Sequence, residues 1–316
     1  MAYRLGVDLG GTTIKAGVVD EKKRMVCHVS LPTGADRPFE TVVADMAAAA
    51  KQAAAQAGLD MGDFPCVGFG MPGLIDLARG IHVFAGNLGW HNVPITAELQ
   101  RHFSIPVFVG NDANCAVVGE TVAGAASGLS NVLMLTLGTG VGGGIIVNGK
   151  LFTGGNGMGA ELGHVQLCFD GAPCSCGING CLEAYASVTA LIRQTEEAMA
   201  RHSASAMHAF AQEQGGVDGR TAFECAKAGD EAAAAVVDTY LNYLAAGLGS
   251  LINVFRPEVV LIGGGLSNQR EHLLVPLAAR ARRYTFASDL LGMPPIRRAA
   301  LGNDAGIYGA AYLSDM

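Results

Sequence analysis

A two-domain α/β fold follows from three observations. The chain has 316 residues, 50% hydrophobic and 16% charged, which is more than one hydrophobic core usually serves. It contains 44 Gly and only 6% aromatics. Chains this rich in glycine need many tight turns and close backbone approaches, as nucleotide-binding α/β proteins do. Finally, one device occurs twice: a strand, a Gly/Thr turn and a second strand, once around Gly10-Gly11-Thr12 and again around Gly138-Thr139-Gly140-Val-Gly142. Two copies far apart in sequence imply two similarly built halves.

Taken in order, residues 3–9 and Ile14 to Val19 read as the strands of a hairpin whose turn is Gly10-Gly11-Thr12-Thr13. A turn without Cβ atoms presents N–H groups to phosphate oxygens. Asp8 ends the first strand; beside phosphates it requires a cation, which suggests Mg²⁺. Lys15 either steadies the turn or approaches phosphate, and an ordinary hairpin with a buried-end Asp is the competing reading. A third strand covers 25–31. Asp36 is expected to cap a helix running to about Ala57, with Pro38 in its first turn, Gly58 past its end and a stripe of Val42, Val43, Met46, Ala47 and Ala50. A strand from Cys66 to Gly70 enters the Met71-Pro72-Gly73 turn. Asn87-Leu-Gly-Trp90 reads as a loop holding the single Trp, which either packs a sugar edge or plugs the core. Pro106 to Val109 is a short strand, and a helix follows from about Ala113 to Ala126. Asp112 thus lies at a strand end and a helix start, where it is either a ligand group or a plain N-cap.

Residues 131–137 and Ile145 to Asn148 form the strands of the second device. Neither Gly/Thr turn matches a Walker A loop. The stretch Glu161-Leu-Gly-His164, then Cys174-Ser-Cys176-Gly-Ile-Asn-Gly-Cys181-Leu-Glu183, gathers one imidazole and three thiols between two carboxylates. These are the ligands of a closed tetrahedral zinc site; small buried thiols are the alternative. Cys27, Cys66, Cys115, Cys168 and Cys225 read as core or near-core thiols. Leu182 to about Arg201 is expected to be helical, 203–220 a surface connection or short helices, and Asp230 to Phe255 a long helix stopped by Arg256-Pro257. Glu258 to Ile262 enters Gly263-Gly264-Gly265, where a flat ring such as adenine can lie on bare backbone, unless this is only a tight turn. Leu273 to Tyr284 and Ala305 to Leu313 close the chain as helices.

Net charge is -7 and the pI about 5.6, without the basic stripe that nucleic-acid binding requires. Residues 1–20 lack a basic start, an apolar run and a cleavage site, and no 18-residue uncharged run reads as a membrane span. A soluble cytoplasmic protein that binds neither nucleic acid nor membrane is expected.

These motifs resemble those of the ROK family of sugar kinases, in the actin-like ATPase superfamily, and most of all its bacterial glucokinase-like members. The matching residues are Asp8-Leu-Gly-Gly-Thr12, Gly70-Met-Pro-Gly73, Asn111-Asp112-Ala-Asn114, Leu137-Gly-Thr-Gly140-Val-Gly-Gly, Glu161-Leu-Gly-His164 and Cys174-x-Cys-Gly-x-x-Gly-Cys-Leu-Glu183, in family order over nearly the whole chain. The resemblance implies two actin-like, ribonuclease H-like α/β domains flanking a deep cleft. One would span 1–117, completed by a C-terminal helix at about 304–316; the other, 118–303, would carry the zinc loop and a dimerisation surface. It implies Asp112 as catalytic base, and Gly73, Asn87, Asn111, Glu161, His164 and Glu183 around the sugar. Asp8, Gly10, Gly11, Thr12, Lys15, Gly138, Thr139, Gly140 and Gly142 would serve ATP with Mg²⁺, and Gly264 and Gly265 the adenosine. His164, Cys174, Cys176 and Cys181 would hold a structural Zn²⁺, with His164 using its second ring nitrogen on the sugar. The implied activity is ATP-dependent phosphorylation of a hexose at the 6-hydroxyl, glucose first, by a homodimer. The family also uses fructose, mannose, allose, N-acetylglucosamine and N-acetylmannosamine. It further contains repressors with a helix-turn-helix ahead of the kinase-like body, which is not expected here because the first strand begins at about Tyr3. A non-catalytic zinc protein on the same fold is opposed by the intact Asp112 and both turns.

Overall fold

The computed structural model describes residues 3–316; Met1 and Ala2, the start of the expected first domain, lie outside the described residues. In chain order the principal elements are β1 (Arg4–Leu9), β2 (Thr13–Val19), β3 (Met25–Pro32), α1 (Phe39–Gln56), β4 (Val67–Met71), β5 (Leu74–Asp76), β6 (Ile81–Ala85), β7 (Trp90–Val93), α2 (Ile95–Gln100), β8 (Val107–Asn111) and α3 (Asp112–Ala123). There follow β9 (Val132–Leu137), β10 (Val141–Val147), β11 (Lys150–Leu151), α4 (Glu183–Ala186), α5 (Val188–Arg201), α6 (Met207–Gln214), α7 (Thr221–Lys227), α8 (Glu231–Phe255), β12 (Val259–Gly263), α9 (Glu271–Ala281), α10 (Ser288–Leu291), β13 (Ile296–Arg298) and α11 (Ala305–Ala311).

Two compact units result. One comprises the residues through Val132 with Gly144–Ala160 and Ala300–Met316, the other Leu133–Gly143 and Glu161–Ala299. A boundary at 117/118 would cut α3 in its middle. That helix stays whole in the first unit because it packs on α11, and the C-terminal segment joins the same unit from residue 300.

In the first unit the sheet order is β3-β2-β1-β4-β8. β1, β2 and β3 are antiparallel neighbours, while β4 and β8 run parallel to β1. The other five-stranded sheet, β11-β10-β9-β12-β13, follows the same plan, with an antiparallel β10–β11 pair and a parallel β12–β13 pair. The echo between the two Gly/Thr turns is thus an echo between two sheets. Parallel register aligns strand ends: Asp8 stands opposite Gly70, and Met71 opposite Asn111. The carboxyl ends of β1, β4 and β8 therefore gather Asp8, the Pro72-Gly73 turn and Asn111-Asp112, where ligands of open α/β sheets collect.

α1 buries its expected stripe, Val42, Val43, Met46, Ala47 and Ala50. Its N-cap is Pro38 rather than Asp36, with no side-chain cap, because Asp36 lies in the preceding turn. β8 extends to Asn111 and α3 starts at Asp112, with the cap supplied by Asn111. β10 begins at Val141, inside the glycine run, not at Ile145. The expected helix from Leu182 is broken at Ser187, whose extended backbone and side chain cap α5. Trp90 is 3% exposed and opens a strand, so it belongs to the core and not to a sugar-packing loop. The three-stranded sheet β5-β6-β7 was not foreseen from the sequence, nor were α2, α7 and β13.

α8 is 25 residues long and, by length and composition alone, apolar enough to cross a membrane, although Asp238 and Arg256 keep its uncharged stretch below 18 residues. Its window is 56% buried in the structure, and Tyr240, Leu244, Leu248 and Ile252 line its buried face at helical spacing. This is the pattern of a core helix.

α11 lies very close to its neighbours. A Cβ on Gly68 would come within 1.8 Å of Ala310 O, and one on Gly309 within 1.7 Å of Cys115 O. We expect Gly309→Ala to lose about 3 kcal/mol of unfolding free energy in denaturant titration, since the backbones would have to part. Gly62→Ala, where a Cβ meets nothing within 4 Å, is the control. It should change stability by under about 1 kcal/mol; equal losses would refute the close-approach argument.

Candidate active site

The first unit holds Asp8, Gly10, Gly11, Thr12, Lys15, Gly73, Asn87, Asn111 and Asp112. Gly10 N–H donates to Thr13 O at 2.9 Å and closes the first turn. The buried Thr33 fastens it from behind: its hydroxyl donates to Gly10 O at 2.7 Å and its N–H to Thr12 O at 2.9 Å. Gly11 and Thr12 are exposed, and a Cβ on Gly11 would sit 3.4 Å from the Asn87 amide nitrogen. Lys15 is the cross-strand partner of Asp8, and its ammonium donates to Asn303 O at 3.4 Å.

Asn111 is heavily engaged. Its Oδ1 accepts N–H groups of Ala113 at 2.9 Å and Asn114 at 3.2 Å, and its Nδ2 donates to Gly73 O at 3.0 Å. The same side chain stands beside the Asp112 carboxylate and favours its ionised form. The side chain expected to hold a sugar hydroxyl therefore first fixes the helix start and the Pro-Gly turn. Asp112 accepts Ala113 N–H at 2.8 Å.

Two opposing effects act on Asp112. A helix N-terminus favours a carboxylate by roughly 0.3–1 kcal/mol, whereas desolvation can raise a carboxyl by several pH units. The side chain reaches solvent, but enough protein surrounds it that desolvation wins, and its pKa lies above the ordinary carboxylate range despite its hydrogen bonds. Asp8 is raised to about 6, first by burial and further by the nearby Asp112 charge, with Lys15 opposing.

The second unit holds Gly138, Thr139, Gly140, Gly142, Glu161, His164, Cys174, Cys176, Cys181, Glu183, Gly264 and Gly265. The start of α5 holds the second turn: Val188 N–H donates to Gly138 O and Thr189 Oγ1 to Thr139 O, both at 2.8 Å. Glu183 ties the turn to the cysteine loop. Its Oε2 accepts Val141 N–H at 2.9 Å, and its Oε1 accepts the Ser175 hydroxyl at 2.8 Å. Gly264, at φ 78°, packs against the end of β9, where a Cβ would meet Leu137 O at 2.3 Å. A cavity of about 520 Å³ opens beside the turn, lined by Gly138, Thr139, Gly265, Arg220, Glu224 and Gln269 among others. Its volume suits a nucleoside. Arg220, Glu224, Asn268 and Gln269 line it but were not singled out in the sequence; the first two fall in or next to a segment that reads as a surface connection.

His164, Cys174, Cys176 and Cys181 place their ligand atoms within 4.8 Å of one another. Cys174 Sγ lies 3.6 Å from His164 Nδ1, and Cys176 Sγ 3.6 Å from Cys181 Sγ. Tetrahedral zinc with bonds of about 2.3 Å spaces thiolates about 3.8 Å apart, so the set fits the ion. His164 turns Nδ1 to this cluster. Glu161 is exposed, and its carbonyl closes the short turn Leu162–His164.

The ROK family model matches residues 4–316. A glucokinase of Thermotoga maritima is 39% identical over 310 residues, 98% of this chain and 96% of that protein. Among solved structures, a ROK hexokinase from Thermus thermophilus superposes with a TM-score of 0.83 at 38% identity, covering 98% of this chain and 97% of the other. A ROK family glucokinase from Streptomyces griseus, in complex with glucose and AMPPNP, has a TM-score of 0.83 at 36% identity and 99% coverage of both chains.

Asp8 gives a pH signature. A carboxyl whose folded pKa is raised binds its proton more tightly in the folded state, so its contribution is most favourable below about 4 and is lost as pH rises through about 6. Above that window the ionised Asp8 costs up to about 3 kcal/mol. Asp8→Asn, free of metal and nucleotide, should therefore exceed wild type in unfolding free energy by about 1–3 kcal/mol at pH 8, with the gap closing below pH 4. Parallel pH profiles in denaturant titrations would contradict the assignment.

Proposed function

The chain belongs to the ROK family, and we propose that it is an ATP-dependent hexose kinase that transfers the γ-phosphoryl group of ATP to the 6-hydroxyl of glucose. The observation that carries this reading is the β8–α3 junction. It presents a carboxylate, Asp112, with a raised pKa, at a helix start capped by Asn111, on a chain similar over its whole length to glucokinases.

A sugar hydroxyl is a poor nucleophile near neutral pH. Asp112 accepts its proton as the O–P bond forms, and a raised pKa suits a base that must take and then release a proton. The rest of the chemistry is alignment and charge neutralisation. The two Gly/Thr turns offer backbone N–H groups to the phosphates, and the cavity beside Gly138 and Gly265 takes the adenosine. Mg²⁺ bound with ATP would supply positive charge to the phosphoryl oxygens, and Asp8 is the residue that would hold it: a half-buried carboxylate beside an anion-binding turn is a costly arrangement that a cation offsets. Asn87, Gly73, Asn111, Glu161, Glu183 and His164 Nε2 hold the sugar. His164, Cys174, Cys176 and Cys181 hold a structural zinc; the reaction does not pass through it. Phe286, Leu290 and Leu291 are large, apolar and more than half exposed, which supports a homodimer. We place the enzyme in the cytoplasm.

A panel of sugars with coupled ADP detection tests the reading. Glucose should be turned over best. Good turnover of another hexose or an N-acetylhexosamine with none of glucose would reassign the substrate, and no ADP release with any sugar would end the kinase reading. Asp112→Asn should keep its fold and glucose binding by calorimetry while kcat falls at least about 10²-fold, the lower range of general-base effects. Cys176→Ser should lose bound zinc by elemental analysis, with activity falling in step because Glu183 loses its anchor. Full activity in zinc-free protein would refute the structural role.

A further inference from the structure

His82 is a buried histidine that neither the motifs nor the proposed chemistry uses. It lies in the middle strand of the small sheet β5-β6-β7, opposite Ile75 and Val93, and is 0% exposed. Its Nε2 lies 2.8 Å from Pro72 O. A carbonyl can only accept, so Nε2 carries the proton and Nδ1 does not. Burial holds the ring pKa below its ordinary value, which keeps the imidazole neutral. The edge-to-face contact with Trp90, centroids 5.4 Å apart, fixes the plane of the ring.

This hydrogen bond acts on the turn that reaches the base. Pro72 precedes Gly73, which sits at φ 99° with so little space that a Cβ would lie 2.2 Å from Phe84 O and 3.0 Å from His82 Cε1. Gly73 O then accepts the Asn111 amide at 3.0 Å, and Asn111 Oδ1 caps α3, the helix that Asp112 opens. One path therefore runs from His82 through the Pro72-Gly73 turn and Asn111 to the helix start that carries Asp112, all within the first unit. A β6 interior position has no structural need for a polar side chain; an aliphatic residue would fill it without a desolvation cost.

We propose that His82 is a positioning residue for the sugar-phosphorylating site: by donating to Pro72 O it fixes the Pro72-Gly73 turn, and through Gly73 O and Asn111 it sets the Asp112 carboxylate. This rests on the kinase reading above. Loss of the donor leaves a buried carbonyl unpaired and lets the turn shift.

The test is steady-state kinetics with both substrates varied, alongside thermal melting. His82→Val should lower kcat/KM for glucose about tenfold, the scale of one buried hydrogen bond, while KM for ATP stays within about twofold and the melting temperature within a few degrees of wild type. His82→Gln keeps an N–H donor long enough to reach Pro72 O and should recover most of the loss. Wild-type kinetics in His82→Val would overturn the proposal. So would equal damage to both KM values with no recovery in His82→Gln. If His82→Val does not fold, His82→Gln against the shorter His82→Asn decides: better glucose kinetics in the Gln variant supports the role, and equal kinetics overturns it. If wild type itself does not phosphorylate glucose, the glucose reading fails instead, and the same comparison is made on the sugar that the panel identifies.

Discussion

The first unit depends on how closely its last helix can lie against everything else. α11 touches the sheet at Gly6 and Gly68 and α3 at Gly119, each of which would drive a Cβ to 2.3 Å or less from a backbone carbonyl of α11. At Gly306 a Cβ would meet the Asp8 carboxyl at 2.6 Å. No side chain larger than hydrogen is compatible with these approaches. Because α11 is wedged against α3 and over the end of β1 at once, it fixes the distance between the elements that carry Asp8 and Asp112. A second link comes from the buried Glu120 of α3, which accepts Leu301 N–H at 2.7 Å and Ala125 N–H at 2.8 Å. The last residues of the chain thus hold the ends of its first strand and third helix in register.

That packing has an electrostatic consequence. It keeps two carboxyls partly out of water and near enough that the charge of one raises the pKa of the other. The helix dipole at Asp112 and the ammonium of Lys15 at Asp8 both favour ionisation, yet the net shift at each is upward. Desolvation exceeds these local attractions, as expected when burial effects reach several pH units and exposed charge–dipole terms stay below about 1 kcal/mol. A site in this state suits a reaction that brings a cation and delivers a proton, since either event relieves the cost.

Sequence patterns revealed whatever was encoded within a short window. The Gly/Thr hairpins were legible because turn chemistry dictates them, and the α1 stripe because burial follows a 3.6-residue period. The His164, Cys174, Cys176 and Cys181 set was legible because metal ligands crowd into few positions. Asp112 was ambiguous for a physical reason: Asn111 and Asp112 are both good caps, and only coordinates show Asn111 taking that task. The sheet β5-β6-β7 escaped notice because its strands are three to five residues long and β7 buries only its two ends. Trp90 could not be assigned from its neighbours, since its burial depends on the pairing of β6 with β7, which brings up His82, and on Phe39, which is distant in sequence. Gln269 and Glu224 meet across 45 positions, a separation that no local pattern encodes.

The cysteine loop is held by a different kind of force from the two cores. It exposes Phe169 and Ile178, so burial of apolar surface contributes little there. Its own backbone supplies a few cross-links, such as Gly180 N–H to Ala172 O at 2.8 Å and Cys174 N–H to Ile178 O at 3.1 Å. A segment this short and apolar-poor cannot offset the entropy of ordering its backbone without a covalent or coordinate staple. Under the proposed zinc binding, the four clustered side chains provide one. What the staple secures is a single carboxylate: Glu183 follows Cys181 by two residues and spends one oxygen on Ser175 inside the loop and the other on Val141 at the glycine turn. A Cβ at Gly140 would lie 2.4 Å from that second oxygen, so the turn is shaped around it. The loop and the turn therefore form one mechanical unit, joined through the two oxygens of Glu183.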